Sequence, residues 1–325
     1  MSTVHRPFGL LLPGQGAQHP GMAWELYAHE PVFTETIDEF FELMGPDGWL
    51  LREDWLSEQP AVPLDDASRA QPLLFGIGYA LGRSLSAIGV QPTVLLGHSI
   101  GELAAAALAG VFDLASAARL MVARSAAMAR TPAGGMLAVA ATPDQLAAFL
   151  DDRDRADGVV VGAWNAPMQT IVAGAEPRLS ECARALREAG IACRPVLARQ
   201  PFHSPASAGA AAEFTAAFAA ETLRPPTVRI WSTRTGRPVS DAEAVDPEFW
   251  AGQLAEPVMF WPALDALLRD GAYTLVEAGP GRGLSTVARR HRSVRQGASS
   301  VVPVLATGAE GSLHAWWAAA KQLVS

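Results

Sequence analysis

Short apolar runs alternate with longer stretches of helical periodicity along most of the chain. The apolar runs predict buried strands at residues 8–12, 93–96, 228–232, 274–277 and 301–305. Apolar positions with helical spacing predict helices at residues 30–44, 71–85, 114–130, 208–221 and 261–268. Continuous apolar strands that alternate with helices are typical of a parallel sheet covered on both faces. The pattern therefore predicts an α/β fold.

Residues 134–196 follow a different order. Strands are predicted at residues 136–140, 159–163, 170–173 and 192–196, and helices at residues 142–150 and 176–189. The order β-α-β-β-α-β is that of a ferredoxin-like unit. We therefore predict a ferredoxin-like small subdomain at residues 132–198, inserted into a large subdomain formed by residues 1–131 and 199–325.

One turn combines a strand before it, a helix after it and a serine at its tip. Gly97 and Gly101 flank Ser99 in a Gly-x-Ser-x-Gly sequence. This is the nucleophile elbow, in which glycines permit a tight turn that exposes the serine hydroxyl above a helix N-terminus. The alternative is a structural glycine turn, but the strand and helix around it favour the elbow. The large subdomain is therefore predicted to be α/β-hydrolase-like.

Composition and charge exclude several classes of protein. The 325-residue chain is 50% hydrophobic and carries a net charge of −8, which argues against nucleic-acid binding. Cys182 and Cys193 give neither a disulfide framework nor a metal-ligand spacing, so we expect no metal site. No signal region and no apolar run of 18 residues is evident. We expect a cytoplasmic protein without membrane association.

Two further residues are candidates for the site. Arg124 stands among apolar residues of the helix predicted at 114–130, which suggests that it points inward and needs an anionic partner. His203 lies in a proline-bounded loop where a base could face Ser99. From spacing alone, a surface histidine is an equally good interpretation of His203, and His98 is the next candidate for the base.

Six motifs occur in a fixed order across residues 8–320. They are Gly14-Gln15-Gly16, Gly97-His98-Ser99-Ile100-Gly101-Glu102, Arg124, Phe202-His203, residues 253–258 (QLAEPV) and residues 277–281 (EAGPG). With them the chain resembles the acyltransferase family of malonyl-CoA:acyl-carrier-protein transacylases and polyketide synthase acyltransferase domains.

The resemblance implies a catalytic role for several of these positions. Ser99 would be the acylated nucleophile and His203 its general base, with no carboxylate in the triad. A backbone carbonyl near Gln253 would orient the imidazole instead. Gln253 itself would be one of the substrate-binding residues. The N–H groups of Gln15 and Ile100 would form the oxyanion hole.

The resemblance also implies a substrate. Arg124 would clamp the free carboxylate of an extender unit, and Phe202 and Ile100 favour malonyl over methylmalonyl. Two departures from the family pattern leave room for an unusual extender. Gln200–Pro201 replaces the usual residues before Phe202, and Ala206–Ser207 replaces a common Leu-Met.

The expected donor is acyl-CoA, and the expected acceptor is the phosphopantetheine thiol of an acyl carrier protein, with no bound cofactor. The arginine-rich stretch at residues 289–295 is either a solvated loop or a surface for an acidic carrier protein or the CoA phosphates. The expected form is a discrete, monomeric enzyme, although an excised domain would have a similar sequence.

Three alternatives differ in the fate of the acyl group. The first is an acyl hydrolase that clears stalled carrier proteins, and the second is a transferase that moves a longer acyl chain between carrier proteins. The third is a catalytically silent docking partner, which the intact Ser99, His203 and Gln15 disfavour. A carboxylate clamp at Arg124 favours the malonyl-type enzyme over the other two.

Overall fold

The chain folds around two β-sheets, one parallel and one antiparallel. A computed structural model describes residues 6–324, so residues 1–5 and residue 325 of the predicted large subdomain lie outside the described part. The fold is α/β, as predicted, and the two sheets fall in the two predicted subdomains. The boundaries at 131/132 and 198/199 stay a prediction.

The parallel sheet has five strands: β1 (Phe8–Leu12), β2 (Pro92–Gly97), β7 (Arg229–Trp231), β8 (Thr274–Glu277) and β9 (Ser300–Pro303). Their order across the sheet is β7-β2-β1-β8-β9. The first two pair in register with Leu10 opposite Leu95, and both central strands are buried over most of their length. Burial on both faces explains why these strands are continuous apolar runs in the sequence.

The antiparallel sheet has four strands: β3 (Gly134–Val139), β4 (Val160–Ala166), β5 (Gln169–Ala175) and β6 (Cys193–Pro195). Their order is β4-β5-β3-β6, which is the strand order of a split β-α-β unit. Burial alternates along β3, because Leu137 and Val139 join a separate small core while Met136 and Ala138 face the other way. The ferredoxin-like prediction is confirmed.

Fifteen helices cover the two sheets within residues 6–324. Eight belong to the first part of the chain: α1 (Trp24–His29), α2 (Pro31–Met44), α3 (Pro46–Trp55), α4 (Ala67–Ala87), α5 (Ile100–Leu108), α6 (Leu114–Met128), α7 (Pro143–Leu146) and α8 (Arg178–Glu188). Seven follow: α9 (Ala208–Ala219), α10 (Asp241–Ala244), α11 (Pro247–Ala251), α12 (Phe260–Asp270), α13 (Gly283–Ala288), α14 (Arg292–Arg295) and α15 (Ser312–Val324).

Three of the differences from the predicted helix pattern concern α3, α4 and α7. Helix α3 was not predicted, because its sequence has little amphipathic periodicity and begins with Pro46 and Gly48. The helix predicted at 142–150 is α7 followed by a 3₁₀ turn at Ala147–Phe149. Helix α4 begins at Ala67 because Asp66 accepts a hydrogen bond from the Ser68 N–H as its N-cap.

The two sheets meet where the small subdomain touches residues 253–258. The Val258 N–H donates to the Gly162 carbonyl, and the Trp164 N–H donates to the Val258 carbonyl, both at 2.9 Å. This short parallel bridge aligns β4 with a loop of the large subdomain. Within residues 6–324, no helix has the length and apolar character needed to cross a bilayer.

Candidate active site

The turn between β2 and α5 holds Ser99 in a strained backbone conformation. Ser99 has φ 52° and ψ −118°, a region that non-glycine residues rarely occupy. A Cβ on Gly97 would collide with the backbone of Gly101 and Glu102, and a Cβ on Gly101 would collide with Leu12 of β1. Both glycines are therefore required by close backbone approach, and the predicted elbow geometry is present.

His203 lies opposite Ser99 on the loop before α9. Its Nε2 is 2.9 Å from the Ser99 Oγ, and its Nδ1 is 2.9 Å from the carbonyl oxygens of both Gln253 and Glu256. The His203 N–H donates to the Leu254 carbonyl at 2.7 Å. His203 also has a positive φ of 63°, so both members of the pair occupy backbone regions typical of functional sites.

This arrangement fixes the proton on the imidazole. Carbonyl oxygens only accept, so the Nδ1 must carry the hydrogen, and the Nε2 is left to accept from the Ser99 hydroxyl. Burial, together with the nearby His98 and Arg124, lowers the pKa of His203 to about 3, although the hydrogen bonds to the Glu256 and Gln253 carbonyls oppose the shift. At neutral pH the imidazole is therefore the uncharged form that can take a proton from serine.

The backbone N–H groups of Gln15 and Ile100 lie on the two turns beside Ser99. Ile100 is the first residue of α5, and Gln15 lies in the turn after β1. The His98 N–H donates to the Leu12 carbonyl at 2.9 Å, which ties the two turns together. Within the described residues, neither N–H donates a hydrogen bond. Both remain available to a developing oxyanion.

Arg124 points inward, as its apolar neighbourhood predicted, and is 1% exposed. Its Nε donates to the Gln71 Oε1 at 2.7 Å, and the Gln71 Nε2 donates to the Gln15 Oε1 at 2.9 Å. The guanidinium carbon lies 5.4 Å from the centroid of the Phe214 ring. Burial lowers the pKa of Arg124 to about 9, which leaves it a cation at neutral pH.

The two Nη atoms of Arg124 are buried, and in residues 6–324 they have no hydrogen-bond partner. A buried cation with four unsatisfied N–H bonds is costly unless something anionic binds there. Arg124 is linked through Gln71 to Gln15, on the turn beside Ser99, and its Nη atoms are a buried cationic donor group left without a partner among the described residues.

A cleft of about 80 Å³ lies at Ser99 between the two subdomains. It is lined by Gln15, Gln71, His98, Ser99, Met136, Ala163, Asn165, Ile171, Val196, Phe202 and His203. Phe202 is 2% exposed and forms part of the wall. Arg124 and Gln253 are not wall residues. The Gln253 carbonyl accepts a hydrogen bond from His203, and Arg124 is hydrogen-bonded to the wall residue Gln71.

A larger cleft of about 490 Å³ opens beside the first one. The two clefts share Gln15, His98, Asn165, Ile171 and Val196. The larger cleft is therefore continuous with the one at Ser99.

Sequence reasoning missed two polar residues of this site. Gln71 connects Gln15 to Arg124 and was treated only as the start of an apolar helix, although a buried glutamine on such a face is a signal. Asn165 lies between the strands predicted at 159–163 and 170–173, and its Oδ1 accepts from the His98 Nε2 at 2.8 Å. His98, the second candidate for the base, is therefore directed to Asn165.

The arginine-rich stretch at residues 289–295, predicted to be a solvated loop or a binding surface, is exposed only in part. Arg289, Arg290, Arg292 and Arg295 are exposed. His291 is instead buried, contacts the Asp265 Oδ1 at 3.1 Å and caps the short helix α14. The exposed basic group is thus made of the four arginines, on both sides of a structural histidine.

Comparisons with known proteins agree with this geometry. Residues 10–320 match the acyl transferase domain family. The chain is 37% identical over 281 residues to one of the phenolphthiocerol/phthiocerol polyketide synthase proteins of Mycobacterium tuberculosis, in a match that covers 86% of this chain and 18% of that protein. The chain therefore spans about a fifth of the length of that relative.

Two solved structures show the same fold. The acyltransferase domain from the second module of the salinomycin polyketide synthase has a TM-score of 0.87 and 34% identity, covering 98% of this chain and 72% of that one. Acyl-carrier-protein S-malonyltransferase from Burkholderia pseudomallei 1710b has a TM-score of 0.79 and 26% identity, covering 92% and 96%. The chain belongs to the acyl transferase domain family and is an acyltransferase.

Proposed function

We propose that this acyltransferase moves a malonyl-type extender unit from CoA to the phosphopantetheine thiol of an acyl carrier protein, in polyketide or fatty acid biosynthesis. One observation carries the proposal. Beside a serine–histidine pair, Arg124 is a fully buried cation whose Nη atoms have no partner among residues 6–324. The malonyl carboxylate is an anion with the planar geometry that a guanidinium binds through two hydrogen bonds.

The mechanism follows from the proton positions. The His203 Nε2 takes the hydroxyl proton as the Ser99 Oγ attacks the thioester carbonyl. The N–H groups of Gln15 and Ile100 stabilise the oxyanion. The carbon–sulfur bond then breaks, and the CoA thiolate leaves with the proton from His203. The pantetheine thiol attacks the acyl-serine in the same way in reverse, which completes a ping-pong cycle.

A carrier-protein acceptor has support of its own. The relative from Burkholderia pseudomallei is named as an acyl-carrier-protein S-malonyltransferase. The chain carries a net charge of −8, yet its four arginines near α14 form an exposed basic group. Such a group suits an acidic carrier protein or the CoA phosphates. We further propose that the protein acts as a cytoplasmic monomer and needs no bound cofactor.

The alternative functions use other acyl groups or another acceptor. A longer acyl chain without a free carboxylate would leave Arg124 unpaired, so the long-chain transferase is disfavoured. A hydrolase that acts on neutral acyl groups is disfavoured for the same reason. Both alternatives predict that Arg124 does not favour acyl groups with a free carboxylate over neutral acyl groups.

The test is a competition between malonyl-CoA and acetyl-CoA on the unchanged protein and on Arg124→Ala. Loss of a partner of a buried charge costs about 2–5 kcal/mol, so malonyl transfer should fall steeply. Acetyl transfer should stay equal or rise, because the variant no longer buries an unpaired cation. The preference therefore inverts.

Arg119→Ala is the matched control, since Arg119 lies on the same helix but is exposed and pairs with Glu221. It should leave the preference unchanged. Equal losses of malonyl and acetyl transfer in Arg124→Ala would indicate a structural arginine and would contradict the malonyl-type assignment.

A further inference from the structure

Arg153 lies in the small subdomain, in the loop that leads into β4, yet it reaches the backbone around the proposed base. Its guanidinium donates to the Val161 carbonyl at 2.9 Å, to the His203 carbonyl at 3.1 Å and to the Ala255 carbonyl. These acceptors belong to three separate segments. One side chain therefore joins β4, the loop of His203 and the loop at residues 253–258.

The Ala255 contact matters because of its neighbours. Gln253 and Glu256, on either side of Ala255, provide the two carbonyls that hold the Nδ1 of His203. Arg153 thus contacts the peptide of the base itself and the peptide run that orients its ring.

We propose that Arg153 is a positioning residue for His203, holding the imidazole at hydrogen-bond distance from Ser99 through the backbone on both sides of it. The proposal rests on the proposed role of His203 as the base. It adds that the small subdomain helps to align the base as well as to form one wall of the cleft.

The local structure shows why such an anchor is needed. His203 has a positive φ, a conformation that persists only when its surroundings fix it. The loop at residues 253–258 begins within a 3₁₀ turn, Gly252–Leu254, and ends at a two-bond bridge from Val258 to β4. Arg153 supplies the hydrogen bond to Ala255, between the turn and the bridge.

Arginine suits this position better than any other side chain. Its planar fork carries five N–H donors, which lets it serve several carbonyls at once. The Glu256 carboxylate lies 3.9 Å from the Arg153 Nε and balances its charge. Burial lowers the pKa of Arg153, and Glu256 opposes that shift. A lysine would keep the charge but could not reproduce the fork.

The experiment measures how fast a fluorophosphonate probe labels Ser99, since this reaction needs the serine–histidine pair but no malonyl group. The variants are Arg153→Met, Arg153→Lys and Arg153→Ala, the last with and without millimolar guanidinium chloride. Arg155→Met is the matched control, because Arg155 lies two residues away and is exposed, with its side chain on Asp157.

Arg153→Met should label about 10–100-fold more slowly, since a displacement of about 1 Å in a catalytic group costs on the order of 100-fold. The kcat for malonyl-CoA should fall by the same factor, with KM changed less than about twofold. Arg153→Lys should recover part of the rate, and guanidinium should partly rescue Arg153→Ala. Arg155→Met should label like the unchanged protein.

Two results would overturn the proposal. One is labelling of a folded Arg153→Met at a rate within about twofold of the unchanged protein. The other is slow labelling that follows only the loss of folded protein in a thermal melt, without guanidinium rescue. If the unchanged protein forms no malonyl adduct, the proposed function fails, while the labelling rates still decide the role of Arg153.

Discussion

The serine side and the histidine side of the active site are built in different ways. Ser99 is fixed mainly by its own neighbours in sequence, since Gly97 and Gly101 permit the tight turn between β2 and α5, with Leu12 of β1 packed against Gly101. His203 is fixed from a distance, by carbonyls about 50 residues away and by Arg153, also 50 residues away. The nucleophile is therefore a local structure, and the base is a product of tertiary contacts.

The two sides should therefore respond differently to amino-acid substitution. A change near Ser99 disrupts one tight turn, whereas a change at any of several distant positions can misplace His203. We expect substitutions on the histidine side to give graded losses of rate.

The largest effect on the histidine side is expected for His203→Ala. Removal of a positioned general base slows a reaction by about two to four orders of magnitude. Stopped-flow or quench measurements of acylation by malonyl-CoA would give the rate. A loss of less than about tenfold would place the base elsewhere, and His98 would be the next residue to test.

Phe202→Ser changes the wall of the cleft. The smaller side chain should leave space beside the α-carbon of the acyl group and raise methylmalonyl use relative to malonyl. One methyl group in an apolar pocket is worth about 1–3 kcal/mol, so the ratio should shift by at most about 10–200-fold. A competition assay with both CoA esters measures it, and an unchanged ratio would mean that Phe202 does not select the substrate.

Gln71→Met removes the hydrogen bond that holds the Arg124 Nε and the one that holds the Gln15 side chain. A net loss of about 1.4 kcal/mol per hydrogen bond corresponds to a tenfold change, so the loss of both bonds should lower malonyl transfer by up to about 100-fold. Acetyl transfer should fall less, because the acetyl group does not need the arginine. Gln91→Met is a control at an exposed glutamine. Equal losses for both substrates would contradict a link between Gln71 and Arg124.

The smallest expected effect is the response of acylation to pH. Burial lowers the pKa of His203 to about 3, so its neutral form persists at every pH well above that value. The acylation rate should therefore change less than about twofold between pH 5.5 and 7.5. An ordinary histidine, with a pKa near 6.5, would lose about tenfold over the same interval. A tenfold loss would contradict a desolvated base.

The same contrast explains what could be predicted from the sequence. The elbow and the inward arginine were recognisable because their signals are local: glycines around Ser99 and apolar neighbours around Arg124. The alternation of apolar strands with helices and the ferredoxin-like order of elements were also local signals. The fold class was therefore accessible from the chain alone.

The connections between distant segments were not accessible in this way. The carbonyls of Gln253 and Glu256 are backbone atoms, which residue type does not reveal, and the resemblance alone suggested a carbonyl near Gln253. Gln71 and Arg153 act by reaching across 53 and 50 residues of sequence. Such contacts appear only once distant segments of the chain have packed against each other.

The central claim is that Ser99 carries a malonyl group during the reaction. Intact-protein mass spectrometry after mixing with malonyl-CoA, for the unchanged protein and for Ser99→Ala, tests it most directly. We expect a malonyl adduct on the unchanged protein, located on the Ser99 peptide, and none on the variant. A malonyl adduct that persists on Ser99→Ala, or that maps to another residue, would rule out Ser99 as the nucleophile.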